Sequence, residues 1–254
     1  MLKDIVIAIR SYRQAHDFIR KHKLWRWIIV PGIIYMLLFL VSMYFLGKSV
    51  SYVIRWIGIQ TGMRQWIESL HSDLAGLIFT IGAVMLWLVL MLLYFSFFKY
   101  IWLIFGSPVF AYLSERTSEI IEGETARFSF YQLLKDIFRG IGIALRNALW
   151  QSVYLVSLVV VSFIPVVGWI VPVFALLIEC YYYGFSMLDY SLERQHLTAA
   201  ESIHFIGARK GLAIGNGIVF YCLHLVPVVG WLFAPSYAVI AATLSVHQEK
   251  RGQA

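Results

Sequence analysis

Charge is what this chain has least of: Asp, Glu, Lys and Arg make up 14% of its 254 residues, against about 25% in a soluble domain. With 60% hydrophobic residues and a mean hydropathy of +0.75, that scarcity excludes an ordinary soluble globule and predicts an integral membrane protein. Cysteine is scarce too. Cys180 and Cys222 sit inside apolar runs with neither a disulfide framework nor metal spacing, so they read as packed thiols and no metal site is expected. Enzyme constellations are missing. There is no Walker loop, no His-Glu-x-x-His, no Gly-x-Ser-x-Gly and no paired-thiol motif, which argues against an enzyme, an ATP-driven pump and a bound cofactor. The net charge of +7 does not point to nucleic acid, because the basic residues flank apolar spans. No cleavable signal peptide is visible, and a retained N-terminus is expected.

What the chain does have is a repeated break, Pro165-Val166-Val167-Gly168-Trp169 and Pro227-Val228-Val229-Gly230-Trp231, each inside a long apolar run and each followed by a second proline, Pro172 or Pro235. Proline removes a backbone donor and glycine frees the dihedrals, so both copies predict a chain reversal. Residues 149–164 and 170–184 flank the first copy, and 212–226 and 232–246 the second. Arms of that length reach about 23 Å, short of the roughly 30 Å hydrocarbon core. Two re-entrant helical hairpins are therefore expected, at 149–184 and 211–247, with apices lining a cavity or a subunit interface. Four short, tilted complete spans are the alternative.

Around the hairpins the sequence predicts a single all-α membrane domain over 1–254. An amphipathic surface helix covers 2–22, with Leu2, Ile5, Ile9, Tyr12, His16 and Ile19 on one face and basic residues toward lipid headgroups. Two long transmembrane helices follow at 24–46 and 74–105, separated by a Trp-bearing interfacial helix at 50–72. A cytoplasmic helical region at 106–147 opens on Ser107-Pro108, read as a helix start, with Gly123 as a stop. Lys and Arg number 7 before Trp27, 6 from Lys99 to Arg146, 3 from Arg194 to Lys210 and 2 at the C-terminus, but 3 between Gly47 and Asp73. That asymmetry predicts cytoplasmic termini and cytoplasmic hairpin bases.

The best chemical candidate is the turn Lys23-Leu24-Trp25-Arg26, where helix-start amides and Arg20, Lys21, Lys23 and Arg26 converge in a way that suits a small oxyanion. The same residues also read as cytoplasmic anchors that snorkel to headgroups. His224, three residues before Pro227, falls deep in the bilayer on the hairpin reading, where it is either a functional ionisable group or a histidine bonded to a neighbouring helix. Glu179 is placed nearer its hairpin's base. Arg209-Lys210 either pair with Glu115, Glu119 or Asp189 or face a permeating anion. Gly207, Gly211 and Gly215, spaced by four, mark either an oligomeric or inter-hairpin seam or ordinary intrachain packing.

Leu24-Trp25-Arg26-Trp27 with Pro31, Ser107-Pro108 with Leu113, Ser114, Glu115, Glu119 and Gly123, then Lys135, Pro165 to Pro172, Leu188-Asp189-Tyr190, Arg209-Lys210, Pro227 and Pro235 with Ala241-Ala242-Thr243 follow one another in order. In that order and spacing the chain resembles the CysZ-type sulfate permeases and the broader etoposide-induced membrane proteins. The resemblance implies two long spans, two half-penetrating hairpins, a homo-oligomer in the bacterial inner membrane, and ATP-independent sulfate uptake with an anion site at a Gly-Leu-Arg-type turn. Here Lys23 stands in the glycine's place and Trp25 in that of the first arginine, while Leu24 and Arg26 remain. Pro165, Gly168, Pro227 and Gly230 would shape the hairpin tips, with Glu115, Arg209, Lys210 and His224 along the path. A membrane scaffold that binds lipid or a partner without transport is the competing reading.

Overall fold

The computed structural model describes residues 1–60, 73–123, 130–162, 170–195 and 197–251. These form eight helices and, among the described residues, no strand: α1 (Leu2–His22), α2 (Trp25–Gln60), α3 (Asp73–Glu122), α4 (Phe130–Ser162), α5 (Val171–Arg194), α6 (Ala199–Ala208), α7 (Lys210–His224) and α8 (Val229–Arg251). Among the described residues, three stretches are long and apolar enough to cross a membrane, Trp25–Ser49, Val171–Arg194 and Val229–Glu249. The first Pro-Val-Val-Gly-Trp copy, with Pro165 and Gly168, lies outside the described residues, as does 61–72 of the expected interfacial helix. The chain divides into two compact units, Met1–Met36 with Tyr100–Ala254, and Leu37–Lys99.

Local chemistry explains where the helices stop. Gly123, at φ 76°, ends α3, and its amide closes on Glu119 O at 2.8 Å, as a left-handed glycine cap does. α6 opens on a complete capping box in which Thr198 and Glu201 satisfy each other's amides. The amide and hydroxyl of Thr198 both donate to Glu201 and hold its carboxyl below the usual carboxylate range. Ser107-Pro108 behaves differently from the helix start expected of it, because α3 runs straight through. Pro108 cannot donate to the carbonyl four residues back, which is Ile104's. The Ser107 hydroxyl donates to that carbonyl at 2.8 Å instead, so the helix loses a donor without leaving an orphan acceptor.

In the Leu37–Lys99 unit the Tyr94 hydroxyl on α3 donates to Ser42 O on α2 at 3.1 Å, and Phe98 meets both Phe39 and Tyr94 at 6.2 Å. In the other unit, glycines set the packing. A Cβ on Gly184 of α5 would overlap the Ala213 carbonyl of α7, and one on Gly217 of α7 would overlap the Cys180 carbonyl of α5, so the two backbones approach at paired glycines. Gly211 and Gly215 face the other way and seat α1, touching Asp4, Ile5 and Ala8. The small-residue series is therefore an intrachain seam, and Gly207 takes no part in it, having open space around it.

This seat also corrects the face expected for α1. Its buried residues are Ala8, Ser11, Tyr12, Ala15 and Ile19, while Leu2 is 77% and Ile9 44% exposed. Tyr12 and Ile19 of the expected face are buried and Ile5 touches Gly215, but a contact face built on glycines admits small side chains, so Ala8, Ser11 and Ala15 complete it while Leu2 and Ile9 lie outside. Tyr12 locks the seat by donating to Asn216 O at 2.9 Å, and Asn216 in turn donates to Ala238 O on α8 at 2.9 Å.

Candidate functional site

α1 and α2 meet at a two-residue turn. Lys23 ends α1 in the left-handed region, at φ 55° and ψ 38°, a conformation that costs a side chain bearing Cβ about 1–2 kcal/mol. The amides of Lys23 and Leu24 both donate to Ile19 O, and Trp27 N donates to Leu24 O at 3.0 Å. Among the described residues, the amides of Trp25 and Arg26, the first two residues of α2, show no backbone acceptor, as the start of a helix leaves them. Leu24 is buried and pins the turn, whereas Lys23 and Arg26 are exposed. Among the described residues neither cation has a carboxylate partner.

The indole of Trp25 is taken up by packing. It stands edge-on to Phe233 at 6.0 Å and to His16 at 6.3 Å, and His16 Nδ1 shares a 2.8 Å hydrogen bond with the Tyr237 hydroxyl. An aromatic side chain at this position ties the turn to α8. The cations around it have an electrostatic signature: burial first, then Lys21 and Arg116, hold the His22 imidazole below its ordinary range. Arg116 itself pairs with Glu119 at 2.8 Å.

The second hairpin's tip is built from residues 225–230. Val229 N donates to Pro227 O at 2.7 Å and Gly230 N to Val226 O at 2.8 Å, while Val228 is forced to φ 64°, a strained setting for a β-branched residue. Gly230 is required because a Cβ would overlap the Leu223 carbonyl. The indole of Trp231 donates to His224 O at 3.0 Å and closes the reversal. His224 sits among rings, stacked on Phe220 at 5.3 Å with Tyr35 edge-on at 5.9 Å.

Contacts along α2 give the tip a level. Trp27 meets Tyr112 of α3 at 4.4 Å, Gly32 abuts Leu232 of α8, and Tyr35 meets Trp102 of α3 at 4.7 Å as well as His224. At the other end of the unit, carboxylates gather with basic groups. Glu115 pairs with Arg194 at 3.4 Å, Glu122 with His247 at 2.7 Å and Arg209 with Glu249 at 3.1 Å. Arg209 therefore pairs with none of the acids expected of it, since packing brings each of those a different guanidinium. Lys210, the first residue of α7, is exposed.

Two buried polar clusters were not singled out from the sequence. Arg139 of α4 donates to both Asp189 oxygens at 2.9 and 3.2 Å, to Glu193 at 3.3 Å and to the Ser202 hydroxyl at 2.7 Å, joining α4, α5 and α6. A cavity of about 20 Å³ bounded by Asp189, Tyr190 and Ser107 lies beside it, room for about one water. Deeper in the unit, Tyr100 donates to Gln151 at 2.6 Å, Gln151 donates to Glu179, and Tyr221 donates to the other Glu179 oxygen at 3.0 Å. The i, i+4 spacing of Asp189 and Glu193 was a usable signal for the first cluster. Nothing in the sequence named Arg139 as their partner.

Residues 12–235 match the family model described as Sulfate transporter CysZ/Etoposide-induced protein 2.4. A protein of Pseudomonas syringae pv. tomato named sulfate transporter CysZ is 28% identical over 169 residues, covering 66% of each chain. Proteins of the same name from Pseudomonas aeruginosa and Pseudomonas fluorescens are each 24% identical, over 85% of both chains for the first and over 85% of this chain and 83% of the relative for the second. With a family model matched over most of its length, this chain belongs to the sulfate transporter CysZ/etoposide-induced protein 2.4 family.

Proposed function

We propose that the chain is an ATP-independent permease for a small inorganic oxyanion, sulfate foremost, acting as a homo-oligomer in the bacterial inner membrane with both termini cytoplasmic. The observation that carries this reading is the α1–α2 turn, where two helix-start amides without a backbone acceptor lie beside the cations Lys23 and Arg26, which have no carboxylate partner among the described residues. Helix-start amides and cations together suit a divalent oxyanion. The names of the relatives point to the same ligand class. Lys23 and Leu24 contribute position and charge, because their amides are committed to Ile19.

The level of the second tip supports a half-depth hairpin. Tyr35, beside His224, lies ten residues after Trp25, about 15 Å along the helix and so about half of a 30 Å hydrocarbon core. α7 has only 15 residues, about 22 Å. The tip's exposed side chains, Leu225, Val226, Val228 and Val229, are all apolar and suit acyl chains or a second copy.

Radiolabelled sulfate uptake into proteoliposomes tests the transport reading. Arg26→Ala is expected to weaken half-saturation about tenfold or more, the worth of a hydrogen bond to a charged group. Lys23→Gly should raise thermal stability by relieving the left-handed strain while also weakening uptake. Uptake no greater than in empty liposomes, for sulfate and other oxyanions alike, would sink the permease and leave the scaffold. Hairpin depth has a separate check. In a background free of Cys180 and Cys222, a cysteine at position 229 should resist an impermeant thiol reagent added outside cells. Ready labelling would mean complete spans.

A further inference from the structure

The outward side of α1 carries two kinds of side chain that ordinarily segregate. Lys3, Arg10 and Arg13 are exposed and, among the described residues, without a carboxylate partner. Interleaved with them are Leu2, Val6 and Ile9, exposed by 77%, 45% and 44%. The opposite side of the helix is already filled by α7 and α8, so this face is not core waiting for a partner within the chain.

The level of α1 decides what covers it. Its first turn abuts Gly211, two residues from the Arg209–Glu249 ion pair. Its far end meets Trp25 and Tyr237 through His16, just before the exposed apolar side of α2 begins with Trp27 and Val30, 52% and 61% exposed. The helix thus lies along the boundary between the ion-paired base and the apolar spans. At that boundary, cations meet lipid phosphates while neighbouring apolar side chains reach the upper acyl region.

We propose that the outer face of α1 is a docking surface for anionic phospholipid headgroups, with Lys3, Arg10 and Arg13 holding the phosphates and Leu2, Val6 and Ile9 dipping between the lipids. The surface is separate from the Lys23–Arg26 turn. The positive charge selects anionic over zwitterionic lipid, and each cation near the surface is worth on the order of fivefold in binding.

The test uses the detergent-solubilised full chain and fluorescent phosphatidylglycerol or phosphatidylcholine in mixed micelles. Preferential binding of phosphatidylglycerol is expected, lowered on the order of twentyfold in the double variant Arg10→Gln/Arg13→Gln. Both positions are exposed, and an unchanged melting midpoint confirms that the variant is folded. Leu2→Ser/Ile9→Ser, which keeps every charge, should also weaken binding and separates insertion from simple charge attraction. Equal binding of the two lipids, or unchanged binding in the double variant, would overturn the proposal. So would displacement of the lipid by inorganic phosphate at an ionic strength where chloride has no effect, since that would make the face a free-oxyanion site.

Discussion

Replacing Arg139 with methionine is expected to cost about 3–5 kcal/mol, the penalty for leaving buried charge without its partner. Asp189 and Glu193 are 6% and 5% exposed in the fold, and the guanidinium serves both. Removing it leaves two carboxylates close together with little access to water. The melting midpoint of the solubilised protein should fall by about 10 °C. The triple variant Arg139→Met/Asp189→Leu/Glu193→Leu should recover most of that loss, because an apolar replacement for a whole buried ion cluster is often neutral or better. A single variant that melts within a degree or two of wild type would show that the cluster is not a structural tie between α4, α5 and α6.

The second large effect is expected at the paired glycines. Gly184→Ala and Gly217→Ala each place a methyl group against a backbone carbonyl of the facing helix, and backbone cannot rotate aside as a side chain can. Separating α5 from α7 to make room should cost about 3 kcal/mol in each case, seen as a lower melting midpoint or loss of monodisperse protein. Gly207→Ala is the control. It meets open space on α6 and should be neutral or slightly stabilising, since alanine is the better helix former. Equal effects at all three positions would mean that helix propensity, and not close approach, governs this seam.

Features written into neighbouring residues could be read from the sequence. The all-helical class, the stop at Gly123 and the break at Pro227–Gly230 each follow from local patterning or backbone freedom, whereas α2 runs unbroken from Trp25 to Gln60 through the boundary expected between the first span and the interfacial helix. The turn at Lys23 was located as well, although which amides it spends became clear only from the positions of Ile19 O and Leu24. Partners chosen by tertiary packing could not be read. Arg139 lies 50 residues from Asp189, and on sequence grounds several other basic residues were equal candidates for that role. Ser107-Pro108 misled because capping and internal proline share a dipeptide, and the choice turned on one hydroxyl reaching one carbonyl.

The seat of α1 on α7 and α8 also has a meaning in time. The Tyr12 hydroxyl meets a backbone carbonyl 204 residues further along the chain. At a synthesis rate of about 5–20 residues per second, the helix made first waits roughly 10–40 s for its seat to exist. During that interval the Ala8–Ala15 face lacks the α7 and α8 residues that cover it, while the outer face proposed to dock on lipid needs nothing further along the chain. On the proposed lipid docking, the nascent protein parks its N-terminal helix on the bilayer until Gly211 and Gly215 have emerged to seat it.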